Sequence, residues 1–216
     1  MTSEPVLNLA TWVERSVVNG PGERFVIWVQ GCPIHCLGCI NPELWPIEPR
    51  RLVPIGEMAN LILSTQGIEG ITISGGEPTL QVEALLDLIK ILKERGLTVL
   101  CYSGYCLDEL RARDNLVLNE FLENIDILID GPFLETDVAR LPLRGSRNQC
   151  IHHLSPVYKD REEEFSEHEQ QVELINSRTD WKITGIWEDH FLLRLKELLA
   201  SESFFIESND NFNAEE

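Results

Sequence analysis

Short apolar runs alternate with segments of helical periodicity along most of the chain. Apolar runs predict strands at 25–30, 71–74, 97–102 and 125–129. Apolar positions at helical spacing predict helices at 55–66, 80–95 and 107–123, the last of them divisible into two pieces. A further strand at 181–186 and a helix at 189–200 follow. This alternation predicts an α/β fold built from βαβ units around a mostly parallel sheet.

Chemically distinctive residues follow four of these predicted strands. A loop with three cysteines, the cysteine loop (31–40), follows the first strand, and Gly75, Gly76 and Glu77 follow the second. Ser103 follows the third strand and Asp130 ends the fourth. The carboxyl ends of parallel strands meet at one edge of a sheet, where functional groups gather. The pattern therefore predicts a site at this edge.

Cys32, Cys36 and Cys39 have the spacing C-x3-C-x2-C, with no obvious fourth ligand beside them. A closed structural zinc site needs four protein ligands. A cubane iron–sulfur cluster held by three cysteines instead leaves one iron open to bind a ligand. Zinc, with His35 or a distant histidine as the fourth ligand, is the alternative. Cys101, Cys106 and Cys150 lack such a spacing, and Cys101 is expected in the core.

Charge and composition exclude several classes of function. The formal net charge of −18 argues against binding to nucleic acids or to anionic membrane surfaces. No apolar run approaches the ~20 residues of a membrane span, and the N-terminus does not resemble a signal peptide, so we expect a cytoplasmic protein. We expect one domain over 1–200, followed by an acidic, disordered tail over 201–216.

Several further motifs accompany the cysteines, and together they carry a family resemblance. They are NGPGER (19–24), GCPIHCLGC (31–39), NPELW (41–45), SGGEP (74–78), YSGY (102–105), DGPF (130–133) and RGSRNQ (144–149). With these motifs, roughly residues 8–186 resemble the radical S-adenosylmethionine (radical SAM) enzymes. More narrowly, they resemble the activating proteins of anaerobic ribonucleoside-triphosphate reductase.

The resemblance implies a partial (β/α) barrel of the radical SAM type, with the cluster at the carboxyl ends of the strands. Cys32, Cys36 and Cys39 would hold one 4Fe–4S cluster, and SAM would bind the open iron. Electron transfer from the reduced cluster would cleave SAM and release a 5′-deoxyadenosyl radical.

The resemblance also implies a set of cofactor contacts. Gly75, Gly76 and Glu77 would meet the methionyl end of SAM. Gly38 would contribute only through its backbone. Ser103 and Asp130 are expected near the ribose or carboxylate, with Asp130 a candidate cation ligand. As an alternative, these two residues serve only as turn and cap residues.

The function implied is that of an activase, which abstracts a hydrogen atom from a glycine Cα in a large glycyl radical enzyme. A flavodoxin- or ferredoxin-like protein would supply the electron. One alternative is a radical SAM enzyme that modifies a peptide or small molecule, as carboxy-deazaguanine synthases do. Another is a non-catalytic iron–sulfur or zinc binding module.

Overall fold

The computed structural model describes residues 4–165, 172–176 and 181–186, together with the single positions 191, 194, 195 and 197. The strands in this part of the chain are β1 (Val6–Ser16), β2 (Arg24–Val29), β3 (Leu52–Pro54), β4 (Gly70–Gly75), β5 (Thr98–Tyr102), β6 (Ile127–Asp130), β7 (Val138–Leu141), β8 (Arg144–Ser146), β9 (Cys150–His153), β10 (Val172–Asn176) and β11 (Trp181–Gly185). The α-helices are α1 (Ile55–Ser64), α2 (Val82–Lys93), α3 (Leu107–Ala112) and α4 (Leu116–Glu123).

The main sheet has seven strands in the order β3-β1-β2-β4-β5-β6-β9. Its centre is parallel, since β2 pairs with β4, β4 with β5, and β5 with β6 in that sense. Antiparallel strands flank this centre, with β1 and β3 on one side and β9 on the other. The predicted α/β class with a parallel sheet is confirmed, and the antiparallel flanks are an addition to it.

The predicted elements of the parallel centre agree with the observed ones to within one or two residues. The helical segment 107–123 divides into α3 and α4. Asp114 has a positive φ of 48°, and the Asn115 side chain accepts hydrogen bonds from the N–H groups of Val117 and Leu118, which starts a new helix. The strand predicted at 181–186 is β11. Of the helix predicted at 189–200, the four described positions are helical, and the tail 201–216 lies outside the described residues.

A core between the helices and the sheet holds the strands in place. Helix α2 turns one face inward, and Leu85, Leu88, Ile89 and Leu92 on that face are fully buried. Each such side chain contributes about 1.5–3 kcal/mol on burial. Ile27, Ile71 and Val99 of the central strands belong to the same core and are also fully buried. The strand ends therefore project from a firmly packed support.

A buried polar network closes the amino end of the parallel strands. Arg24, at the start of β2, is fully buried and donates to Thr72 Oγ1 (2.9 Å), Ile71 O (2.6 Å) and the Tyr158 hydroxyl (3.1 Å). Tyr158 donates in turn to Glu69 Oε1 at 2.6 Å, and Arg161 pairs with the same carboxylate at 2.7 Å. Burial lowers the pKa of Arg24, and Tyr158 and Glu69 oppose that effect.

The chain divides into two compact units, Met1–Ile186 and Trp187–Glu216, and only the first is described at length. Within the described residues, no helix combines the length and apolar character needed to cross a membrane.

Candidate functional site at the carboxyl edge of the sheet

The four strands that precede the distinctive residues are neighbours in the parallel centre of the sheet. Their carboxyl ends therefore share one edge, and the cysteine loop, the segment 75–77, Ser103 and Asp130 all follow or end them there. Direct contacts tie the loops to one another. The structure thus brings together at one edge the residue groups that the sequence places at separate strand ends.

Main-chain hydrogen bonds hold the root of the cysteine loop. Gly31 N donates to Leu44 O at 2.8 Å, and Cys32 N donates to Trp45 O at 3.0 Å. From the segment that follows β4, Glu77 N donates to Gly31 O at 2.8 Å. The start of the loop is therefore held by the segment after it and by the segment after β4, through protein contacts alone.

Gly75 and Gly76 make this arrangement possible. A Cβ at position 76 would overlap with the backbone carbonyl of Gly31, and one at position 75 would overlap with the backbone of Val29. Gly75 also has a positive φ of 109°. The sequence suggested that these glycines admit a ligand. In the structure, Gly76 lies against the backbone of Gly31 at the start of the cysteine loop and Gly75 lies against the backbone of Val29 in β2, and contact with SAM stays a prediction.

The three loop thiols are free, and they form an electrostatically coupled group. Cys32 is buried, and Cys36 and Cys39 are half-buried. Burial raises the pKa of Cys32, while backbone N–H groups of Ile34 and His35 oppose the rise. Burial also raises the pKa of Cys36, and the negative charges of Cys39 and Cys32 add to the rise. Each thiolate is thus within electrostatic reach of the others.

A chain of contacts from the far side of the sheet supports Cys36. A backbone hydrogen bond from Phe133, in the loop after β6, opposes the burial that raises the pKa of Cys36. Asn148 Nδ2 donates to Pro132 O at 2.7 Å, and Gln149 Nε2 donates to Gly131 O at 3.2 Å. The sequence marks both motifs only as family signatures. These contacts connect the two motifs to each other beside Cys36, and hydrogen bonds to sulfur are able to tune cluster-binding thiolates.

Gly38 lies against the same loop. A Cβ on Gly38 would stand 3.1 Å from the carboxyl carbon of Glu135, and Gly38 has a positive φ of 75°. Glu135, which no sequence motif singles out, is thus a close neighbour of the cysteine loop. The predicted backbone contact of Gly38 with a cofactor stays a prediction.

The Glu77 carboxylate joins two strand ends. It is 1% exposed. Its Oε1 accepts from Thr79 Oγ1 (2.7 Å) and Ser103 Oγ (3.0 Å), and its Oε2 accepts from Gly104 N (2.8 Å). Burial raises its pKa, and the donated hydrogen bonds oppose that rise. Glu77 therefore positions the loop after β5, and a direct cofactor contact stays a prediction.

Ser103 and Asp130 both have turn and cap partners within the protein. Ser103 Oγ accepts from Tyr105 N at 3.1 Å, in addition to its bond with Glu77. Asp130 Oδ2 accepts from Leu107 N, the first residue of α3, at 2.6 Å. These contacts match the turn and cap alternative. Contacts of Ser103 or Asp130 with SAM, or of Asp130 with a cation, stay predictions.

His35, the candidate fourth zinc ligand, has a different partner. Its ring stacks on that of Trp45, with centroids 4.8 Å apart. In the described part of the chain, no three His, Cys, Asp or Glu side chains are grouped so as to hold a single metal ion. A cubane places its thiolates on different irons, so its ligands need not converge on one point. The donor set of three free thiols supported by N–H groups fits such a cluster.

Comparison with known protein families agrees with this donor set. The profile of the family described as "4Fe-4S single cluster domain" matches residues 18–152, which include the whole of the carboxyl-edge site.

Curated relatives give a more specific similarity. The chain is 38% identical over 142 residues to the pyruvate formate-lyase-activating enzymes of Staphylococcus epidermidis and Staphylococcus aureus. The match covers 62% of this chain and 56% of each relative, so the chain spans only about half the length of those proteins. These relatives are named for pyruvate formate-lyase, whereas the sequence motifs resemble the activating proteins of the reductase.

One solved structure, QueE from Escherichia coli, is also similar. The sequence identity is 18%, the match covers 46% of this chain and 52% of that chain, and the TM-score is 0.36. A structural similarity of this size supports no conclusion about function.

Proposed function

The chain belongs to the family of 4Fe-4S single cluster domains, and we propose that it is a radical SAM activase that generates a glycyl radical on a partner enzyme. The observation that carries the proposal is the cysteine loop, whose root is hydrogen-bonded to the segment 75–77 at the carboxyl edge of the sheet. The similarity to pyruvate formate-lyase-activating enzymes supports the reaction class.

The cofactors are one 4Fe–4S cluster, held by Cys32, Cys36 and Cys39, and SAM. When bound, the two would supply the radical chemistry needed to abstract a hydrogen atom from a glycine Cα. The protein's own part is to position the cluster and SAM and to exclude side reactions. Phe133 N–H stabilises the Cys36 thiolate, and Glu77 fixes Ser103 and Gly104 beside the cysteine loop.

The partner we propose is a large glycyl radical enzyme of the anaerobic ribonucleotide reductase type, with a flavodoxin- or ferredoxin-like electron donor. Motifs 130–133 and 144–149 favour that branch, and their mutual contacts near Cys36 give them a part in the site. Pyruvate formate-lyase is the second candidate partner, because the relatives are named for it.

The test uses anaerobically reconstituted protein. We expect one cluster per chain, slow SAM cleavage without partner, and a glycyl radical signal by electron paramagnetic resonance when a candidate partner is added. Cys36→Ala should lose cluster iron and SAM cleavage, whereas Cys106→Ala, the matched control at an exposed thiol, should keep both. A full, SAM-cleaving cluster in Cys36→Ala would contradict the assignment.

Parallel incubations with a reductase and with pyruvate formate-lyase distinguish the two partner classes. SAM cleavage without a glycyl radical on either protein would favour a radical SAM enzyme that modifies a peptide or small molecule. A loaded, reduced cluster without SAM cleavage would favour a non-catalytic binding module.

A further inference from the structure

Two exposed thiols outside the cysteine loop lie on either side of Asp130. Cys106 immediately precedes α3, Cys150 begins β9, and both are free. The Leu107 N–H donates to Asp130 Oδ2 at 2.6 Å, which fixes the Cys106–Leu107 peptide beside that carboxylate. Asp130 and Cys150 are direct partners in the antiparallel pairing of β6 with β9.

The pairing also fixes the side on which the Cys150 thiol lies. Opposed residues in an antiparallel pair carry their side chains on the same face of the sheet, with Cα atoms roughly 4.5–5.5 Å apart. The Asp130 side chain reaches the start of α3, so Cys150 lies on the face where α3 begins. His152, two residues along β9, agrees, since its Nε2 lies 2.9 Å from Asp130 Oδ2.

Electrostatics supports the proximity of the two thiols. Burial raises the pKa of Cys106, and the charges of Asp130, Glu109, Cys150 and Asp108 raise it further. The contribution of Cys150 indicates that the two sulfur atoms lie within electrostatic reach of each other. Because the raised pKa holds Cys106 as the thiol, the first attack is assigned to the other member of the pair, Cys150.

We propose that Cys106 and Cys150 form a reversible disulfide when the protein meets a peroxide. The Cys150 sulfur attacks hydrogen peroxide, an S–O bond forms, the O–O bond breaks, and one water leaves. The Cys106 sulfur then displaces the hydroxyl group of the resulting sulfenic acid, an S–S bond forms, and a second water leaves. The net change oxidises two thiols and reduces one peroxide, and a small thiol reductant reverses it.

This site is separate from the cluster ligands, and the proposal does not depend on the activase function. The bond would join α3 to β9 over Asp130, at the carboxyl edge of the sheet. The bond itself would involve none of Cys32, Cys36 and Cys39.

Trypsin separates the relevant cysteines, which allows a direct test. The cluster cysteines fall in peptide 25–50, Cys106 in peptide 96–111 and Cys150 in peptide 148–159. Anaerobically reconstituted protein is treated with one equivalent of hydrogen peroxide, its free thiols are alkylated, and the digest is analysed by mass spectrometry. We expect 96–111 linked to 148–159 as the main disulfide product, removed by dithiothreitol.

Matched variants identify the sulfur atoms. Cys106→Ser and Cys150→Ser should each abolish the linked pair. Cys101→Ala should keep it, because Cys101 shares peptide 96–111 but is fully buried in β5. The proposal is overturned if both exposed thiols are oxidised to sulfinic or sulfonic acid without the link, or if Cys101→Ala removes it. Neither outcome bears on SAM cleavage, so failure here is distinct from failure of the activase assignment.

Discussion

At the scale of single residues, the site depends on two neighbouring positions, Gly76 and Glu77. Gly76 has no side chain, and this lets its strand end lie against the Gly31 carbonyl. Glu77 has a carboxylate that collects donors from two loops. Gly76 thus allows a close backbone contact and Glu77 adds hydrogen bonds, and both hold together the loops at the carboxyl edge of the sheet.

Gly76→Ala should displace the cysteine loop. The new Cβ meets backbone that cannot rotate away, so we expect destabilisation of about 1–3 kcal/mol in urea unfolding and a lower iron content after reconstitution. Gly56→Ala is the control, because its Cβ meets only the Glu4 carboxylate, 2.9 Å away at the end of a flexible side chain. Since Gly56 lies in α1, that change should be neutral or stabilising. Full iron loading in Gly76→Ala would contradict this account.

Glu77 should make stability depend on pH in a defined direction. Its pKa is raised on folding, so the stability it contributes is greatest below its unfolded pKa and is lost as the pH rises through the folded value. We expect the free energy of unfolding of the wild type to fall relative to that of Glu77→Gln as the pH rises from about 4.3, the pKa of an unperturbed glutamate, towards neutrality. Urea unfolding of both proteins across this range measures the difference, and two parallel curves would show that the pKa is unshifted.

At the scale of elements, the segment 156–165 fastens the amino ends of the parallel strands. Tyr158 is fully buried, and its hydroxyl contacts Arg24, Glu69 and Thr98. This end of the sheet lies opposite the candidate site. The groups at this end form a hydrogen-bonded charge network that stabilises the sheet.

Tyr158→Phe should destabilise the fold by about 1–3 kcal/mol, because it leaves the buried Arg24 guanidinium and the Glu69 carboxylate each short of a partner. Tyr102→Phe is the matched control, since its hydroxyl makes one hydrogen bond, to Leu143 O at 3.1 Å. That change should cost about 0.5–1.5 kcal/mol. If urea unfolding shows that both variants lose the same free energy of unfolding, the Tyr158 network contributes no more than a single hydrogen bond.

The parallel centre of the fold was predictable, whereas its flanks were not. Central strands such as 25–29 are continuous apolar runs, which are recognisable in the sequence itself. Strand β1 is different, because exposed and buried positions mix irregularly along its register shifts. Likewise, the cysteines are visible in sequence, but the Phe133 N–H that supports Cys36 is a backbone group at long range. No residue pattern encodes that contact.

At the scale of the whole molecule, the net charge of −18 restricts the choice of partner. It opposes association with phosphate backbones and anionic headgroups. A basic or electrostatically mixed protein surface is a more favourable partner.

We expect no measurable binding of duplex or single-stranded DNA, or of vesicles rich in phosphatidylserine, at about 0.1 M salt. Fluorescence anisotropy and vesicle sedimentation measure the two interactions, with a basic protein of similar size as a positive control. Micromolar binding in either assay would show that a local patch overrides the net charge.

The main-chain root of the cysteine loop has a consequence for how such proteins diversify. Gly31 and Cys32 are held through backbone atoms, so the fastening does not depend on the side chains further along the loop. Leu37 and Ile40, by contrast, are exposed by 77% and 48%. Evolution or design can therefore rewrite the outward surface of the loop for a new client protein while the fastening beneath it stays unchanged.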